Sequence, residues 1–160
     1  MEEKKYGDKF KWVWVYLIAA FVIFSVLLLI LVMLESNRLR KFKVDAFVLC
    51  NESDICIANG PEGTIKVNSD NFSAIYSLIE KTHGSITLGK PLASESMSFD
   101  FTCHDSNWNL TVDYISEKKL RLILTGDRNY VVYIKNNGVY ESFIKAASVQ
   151  SFNAPNKKIG

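Results

Sequence analysis

Cysteine, histidine and proline are scarce in this chain, at three, two and three residues among 160. Three cysteines cannot staple a small domain as a disulfide scaffold. The two histidines and three cysteines show no CxxC or HxxxH spacing, so no zinc pattern is legible, and no EF-hand loop orders the acidic residues. GxxxxGK(S/T) and GxGxxG are both missing, which leaves nothing to mark a phosphate cradle. The few prolines, with no repeat and no low-complexity tract, leave no Pro-rich linker. A net charge of +2 excludes a general polyanion-binding surface. No cofactor and no nucleic-acid partner are therefore expected. The length allows one domain of ordinary size at most.

What the chain does have is a long apolar run. Residues 12–34 are 23 positions without a charge, of which 22 are apolar and only Ser25 is not. As a helix this run reaches roughly 34 Å, enough for a hydrocarbon core of about 30 Å. A helix inside a bilayer satisfies its own backbone polar groups, whereas a helix in a small soluble domain keeps a wet face. Trp12, Trp14 and Tyr16 sit at one end as interface anchors. The run exceeds the 7–15 residues of a signal-peptide core, and its exit, Met33-Leu34-Glu35-Ser36-Asn37, offers no small-x-small cleavage site. The reading is an uncleaved signal anchor in contact with the lipid bilayer.

Orientation has to be argued from weaker facts. Four lysines precede the run within residues 1–11, and Arg38, Arg40, Lys41 and Lys43 follow it, so the positive-inside count is a draw. A short tail and a long C-terminal domain favour the N-terminus inside, because long domains translocate largely regardless of charge. The expected organisation is a cytoplasmic tail over 1–11, an anchor over 12–34, a basic juxtamembrane linker over 35–43, an extracytoplasmic domain over 44–150 and a flexible tail over 151–160. The four basic residues of the linker then lie at the membrane interface, solvated or touching lipid headgroups. Residues 44–160 carry a net charge of −2, so the positive charge flanks the anchor and not the domain.

The domain reads as α+β. Residues 44–49, 55–58 and 64–67 are β-rich and separated by polar or Gly-Pro turns. Ser69 is a candidate helix cap, Phe72, Ile75, Tyr76 and Ile79 follow at helical spacing, and His83-Gly84 closes the helix. Then the period changes to two. Runs around Phe99–Cys103, Trp108–Tyr114, Leu120–Leu124 and Tyr130–Ile134 are joined by short polar links that permit only antiparallel neighbours. A second helix follows Gly138, with Val139, Tyr140, Phe143, Ile144 and Ala147 on one side. The expectation is a single transmembrane helix, then a small domain in which two helices pack on an antiparallel meander sheet.

Chemistry is sparse. Cys50 and Cys56 flank the turn at residues 51–54; as opposed hairpin residues they would make a candidate disulfide, with two buried thiols as the alternative. Cys103-His104-Asp105 resembles part of a triad, but neighbours in an extended strand point to opposite faces, so Cys103 and His104 are not expected to meet, and Cys103 reads as a core thiol. Asn51, Asn71 and Asn109 open glycosylation acceptor sequences, of which Asn51, in an expected turn, suits a glycan best. No catalytic, cofactor-binding or metal-binding residue is singled out. The favoured function is a membrane-anchored interaction module, a subunit or accessory protein of an envelope or membrane complex, with a protein partner or a second copy. The alternatives are a tethered ligand-binding or sensor domain, and a tethered enzyme that would need polar groups converging around Asp100, His104 and Asp113.

Overall fold

The computed structural model describes the backbone of residues 3–61, 63–87, 89–104 and 106–148, and side chains from Trp12 onward. The expected tail at 151–160 lies outside the described residues. The chain divides into two compact units, Met1–Ser36 and Asn37–Gly160. Helix α1 (Glu3–Glu52) contributes to both.

In the first unit, the side chains of residues 12–34 are exposed, apart from the half-exposed Ser25. This segment is long and apolar enough to cross a membrane by length and composition. Ser25 donates its hydroxyl to the Phe21 carbonyl at 2.9 Å, so the one polar side chain of the run is satisfied by its own helix.

In the second unit, α1 continues through residues expected to be a linker and a strand. A run of six apolar-rich residues cannot by itself be told from a helix segment. The longer window settles it, because Phe42, Ala46, Leu49 and Cys50 are buried at i, i+4, i+7 and i+8, with Leu39 packed beside them. Residues 35–43 are helical too. Lys43 is part-buried and bonded to a distant part of the chain. Its ammonium donates to the Glu80 and Thr82 carbonyls at 2.6 and 2.9 Å, capping the end of the next helix. Burial lowers its pKa, with Glu80 acting in the opposite direction.

The chain leaves α1 through Ser53, whose N–H still reaches the Leu49 carbonyl, and Asp54, whose N–H joins the Thr102 carbonyl in the sheet. Strands β1 (Ile55–Gly60) and β2 (Gly63–Val67) form a hairpin, turned at Gly63 with φ of +112°. A 3-10 turn, Ser69–Asn71, leads into α2 (Phe72–Glu80). Ser69 caps neither element: Asn68 caps the 3-10 turn by accepting from the Asp70 N–H, and Asn71, at the N-cap of α2, makes no side-chain cap bond. Gly84 does not adopt a left-handed turn; it bridges to Ile134 instead.

Strands β3 (Glu95–Cys103), β4 (Ser106–Ser116), β5 (Lys119–Thr125) and β6 (Tyr130–Lys135) make the expected meander. The β1–β2 hairpin joins its edge through β1–β3 pairing, which gives a six-stranded antiparallel sheet in the order β2-β1-β3-β4-β5-β6. Helix α3 (Val139–Ser148) closes the fold. The buried face of the sheet carries Phe99, Phe101, Leu110, Val112, Leu122 and Val132. Phe72 and Ile75 of α2, Phe143 of α3 and the Phe42 turn of α1 complete this core, so three helical segments cover the sheet where two were expected. Phe101 meets Phe72 edge-on at 5.7 Å, and Phe99 lies 6.0 Å from Phe143.

The opposite face is polar and cross-linked. Asp100 accepts from Asn59 and Asn109 at 2.8 and 2.6 Å, which binds β1, β3 and β4 together and occupies the Asn109 amide. Asp113 is buried and accepts from Ser96 at 2.7 Å and from Arg121 Nε and Nη2, both at 2.6 Å. The segment between α2 and β3 crosses this face. Its polar contacts move stepwise from Ser85 with Tyr133, through Ile86 with Lys119 and Pro91 with Arg121, to Ser94 with Tyr114. Asp100 and Asp113 are thus engaged structurally, and neither is brought together with His104.

Candidate functional site

The β3–β4 connection starts at His104, whose φ is +51°. A two-residue hairpin link needs φ above zero to match the twist of its strands, and histidine is among the residues that tolerate it. The consequence overturns the expectation for this motif. Alternation of side chains holds only while the backbone is extended. His104 has left that conformation, and its Nδ1 lies 3.4 Å from Cys103 Sγ.

The end of α1 approaches the same turn. The Cys103 thiol reaches the Glu52 carbonyl at 3.5 Å. Ligand atoms of the Glu52 carboxylate, the Cys103 thiol and the His104 ring all lie within 4.8 Å of one another. Cys103 is half-exposed, not a core residue. Its thiol is held above the usual range, first by burial and then by the carboxylates of Glu52, Asp54 and Asp127, against a hydrogen bond to Ser53 that lowers it. The free side chain is therefore a protonated thiol at neutral pH and a weak nucleophile.

These residues border a cavity of about 390 Å³. Asp45 and Glu52 come from α1, Trp108 from β4, and Asp127 and Arg128 from the β5–β6 loop. Arg128 lies 3.8 Å from Asp45, with the guanidinium largely in solvent. Gly126 is required here by close approach, because a Cβ at this position would fall on the Trp108 indole. Gly126→Ala is expected to destabilise the domain by about 1–3 kcal/mol and to push Trp108 into the cavity. Of the three tryptophan indole N–H signals in an NMR spectrum, one should shift strongly; three unchanged signals would contradict the packing.

The other residues marked by the sequence fall elsewhere. Trp12, Trp14 and Tyr16 are exposed on the apolar segment of α1. Arg38, Arg40 and Lys41 are exposed on α1. Arg40 and Lys41 line a smaller hollow of about 190 Å³ with Val44, Asp45 and Arg128. Asn51 is in the last turn of α1, not in a loop. His83 is exposed, and its carbonyl accepts the Lys135 N–H.

Cys50 faces the core from a helix, so the expected hairpin opposition to Cys56 does not form. Both are buried free thiols. Burial pushes Cys50 up to about 12 and raises Cys56 further, with Cys50 and Asp100 adding to the effect. A thiol reagent is expected to modify the native chain at Cys103 alone, and all three cysteines in denaturant without reductant. Mass analysis reads the number of adducts. A single adduct in denaturant would mean that Cys50 and Cys56 are bonded.

Sequence reasoning missed the Glu52–Cys103–His104 grouping because no linear motif joins a helix end to a hairpin turn fifty residues away. The polar run His104–Asn107 reads as a four-residue link, and only the pairing of Cys103 with Ser106 shortens it to the two-residue turn that calls for a left-handed residue. Comparison with protein-family models, curated proteins and solved structures finds no match to this chain.

Proposed function

We propose that this protein is a single-pass membrane-anchored interaction module. Its N-terminus is cytoplasmic, and its α+β domain is displayed outside as a subunit or accessory protein of a membrane complex. One observation carries the reading: a charge-free helical stretch over residues 12–34 whose apolar side chains are exposed and whose only polar side chain bonds to its own backbone. Such a surface is costly in water and favourable in lipid. The partner is a protein or a second copy of the chain. The anchor holds no charged residue and no histidine, which argues against transport or proton relay.

Alkaline extraction of membranes should leave the full-length chain in the pellet and detergent should release it. Protease added outside intact cells should digest the domain. Release by alkali sinks the anchor, and full protection, with a digested external control, reverses the orientation. A tethered ligand-binding domain is the second reading, favoured by the cavity of about 390 Å³, which falls in the size range of small-molecule sites.

A further inference from the structure

We propose that Glu52, Cys103 and His104 form a binding site for a divalent transition-metal ion of the zinc class. The three donors come from two separated parts of the fold, the end of α1 and the β3–β4 turn. Thiolate, imidazole and carboxylate together select a borderline ion such as zinc over magnesium or calcium, which take oxygen ligands.

The geometry fits that ion. Zinc holds sulfur at about 2.3 Å and nitrogen at about 2.0–2.1 Å, so the two sit roughly 3.5 Å apart in a tetrahedron. Cys103 Sγ and His104 Nδ1 are 3.4 Å apart. The left-handed backbone of His104, which the hairpin link requires, is what brings them together. Glu52 is exposed at the end of its helix, and its side chain has only to close part of a separation that is already below 4.8 Å.

The surroundings favour a dication. Asp45 and Asp127 border the same cavity, and Arg128, the cation there, lies against Asp45. Three protein ligands leave a fourth position for water or a small anion, the arrangement of an open zinc site and not of a closed structural one. On binding, the Cys103 S–H proton is released to solvent and sulfur donates its lone pair to the metal, with no change of oxidation state.

The test uses the full-length chain in mild detergent, stripped of metal and titrated with Co²⁺ as a spectroscopic probe. The expected result is one ion per chain, with a sulfur-to-cobalt charge-transfer band and strong visible bands of tetrahedral Co²⁺, all abolished by added Zn²⁺. Cys103→Ser should remove the charge-transfer band and weaken binding by about 100-fold or more. His104→Asn preserves a residue suited to the left-handed turn while removing the ring, and should weaken binding by about 10-fold or more. Glu52→Gln should weaken it similarly, and His83→Ala, outside the cluster, should leave it unchanged. Absence of the charge-transfer band in the wild-type chain, or its survival in Cys103→Ser, overturns the proposal. So does unchanged affinity in a folded His104→Asn variant, with the fold checked by near-ultraviolet circular dichroism.

Discussion

Phe42→Ala is expected to destabilise the Asn37–Gly160 unit by about 3–5 kcal/mol, the range for removing a buried aromatic side chain. Phe42 is fully buried and meets Tyr130 edge-on at 6.4 Å. Truncation leaves a cavity between α1 and β6 and removes an aromatic contact. Losses of this size are a large fraction of the stability of a small domain, so the unfolding midpoint should fall well below that of the parent chain. Pulse proteolysis of the full-length chain in mild detergent across a urea series would read the change. Lys41→Ala, one residue away and exposed, is the control and should shift the midpoint little. If Phe42→Ala behaves like Lys41→Ala, residues 37–52 are not part of the core.

Asp113→Ala is expected to cost about 1–3 kcal/mol, because it removes the buried acceptor of charge-assisted hydrogen bonds and leaves the part-buried Arg121 without its carboxylate. The carboxylate is the junction of three connections. It accepts from Ser96 on β3 and twice from Arg121 on β5, while Arg121 Nη1 also donates to the Pro91 carbonyl of the crossing segment at 3.2 Å. Losing it should loosen the segment between α2 and β3 as well as the sheet. Amide exchange around residues 91–96 should therefore accelerate more than exchange in α3. Asp113→Leu combined with Arg121→Leu removes both charges and should recover much of the loss, since a buried pair replaced by apolar groups is often near neutral. A double variant as unstable as Asp113→Ala would show that the hydrogen bonds, not the stranded charge, dominate.

The meander was legible because its period of two, in Phe99–Phe101–Cys103 and Leu120–Leu122–Leu124, records directly which face each side chain takes. Short polar links fixed the neighbours. Helices α2 and α3 were legible for the same reason at a period near 3.6. Residues 44–49 alone fit a strand as well as a helix, and the helical spacing shows only when Leu39 and Phe42 are included. Basic residues beside an anchor suggest a linker, yet Lys43 bonds to two carbonyls at and just past the end of α2, thirty-seven and thirty-nine residues away. No local pattern encodes that partner.

The candidate site was less legible than the fold. Cys103 and His104 were visible as adjacent residues, but their meeting depends on one backbone angle at the turn. Glu52 joins them only because α1 ends beside that turn.

By itself the sequence determined the apolar helix, the four-stranded meander and the amphipathic helices, because hydrophobic spacing and length are local properties of the chain. Only the tertiary structure decided that α1 continues into the domain core, that β1 joins the meander beside β3, and that a helix end, a hairpin turn and a loop border one cavity. Those outcomes depend on contacts between residues far apart in the chain, where burial and backbone hydrogen bonding choose among alternatives that local spacing leaves equal.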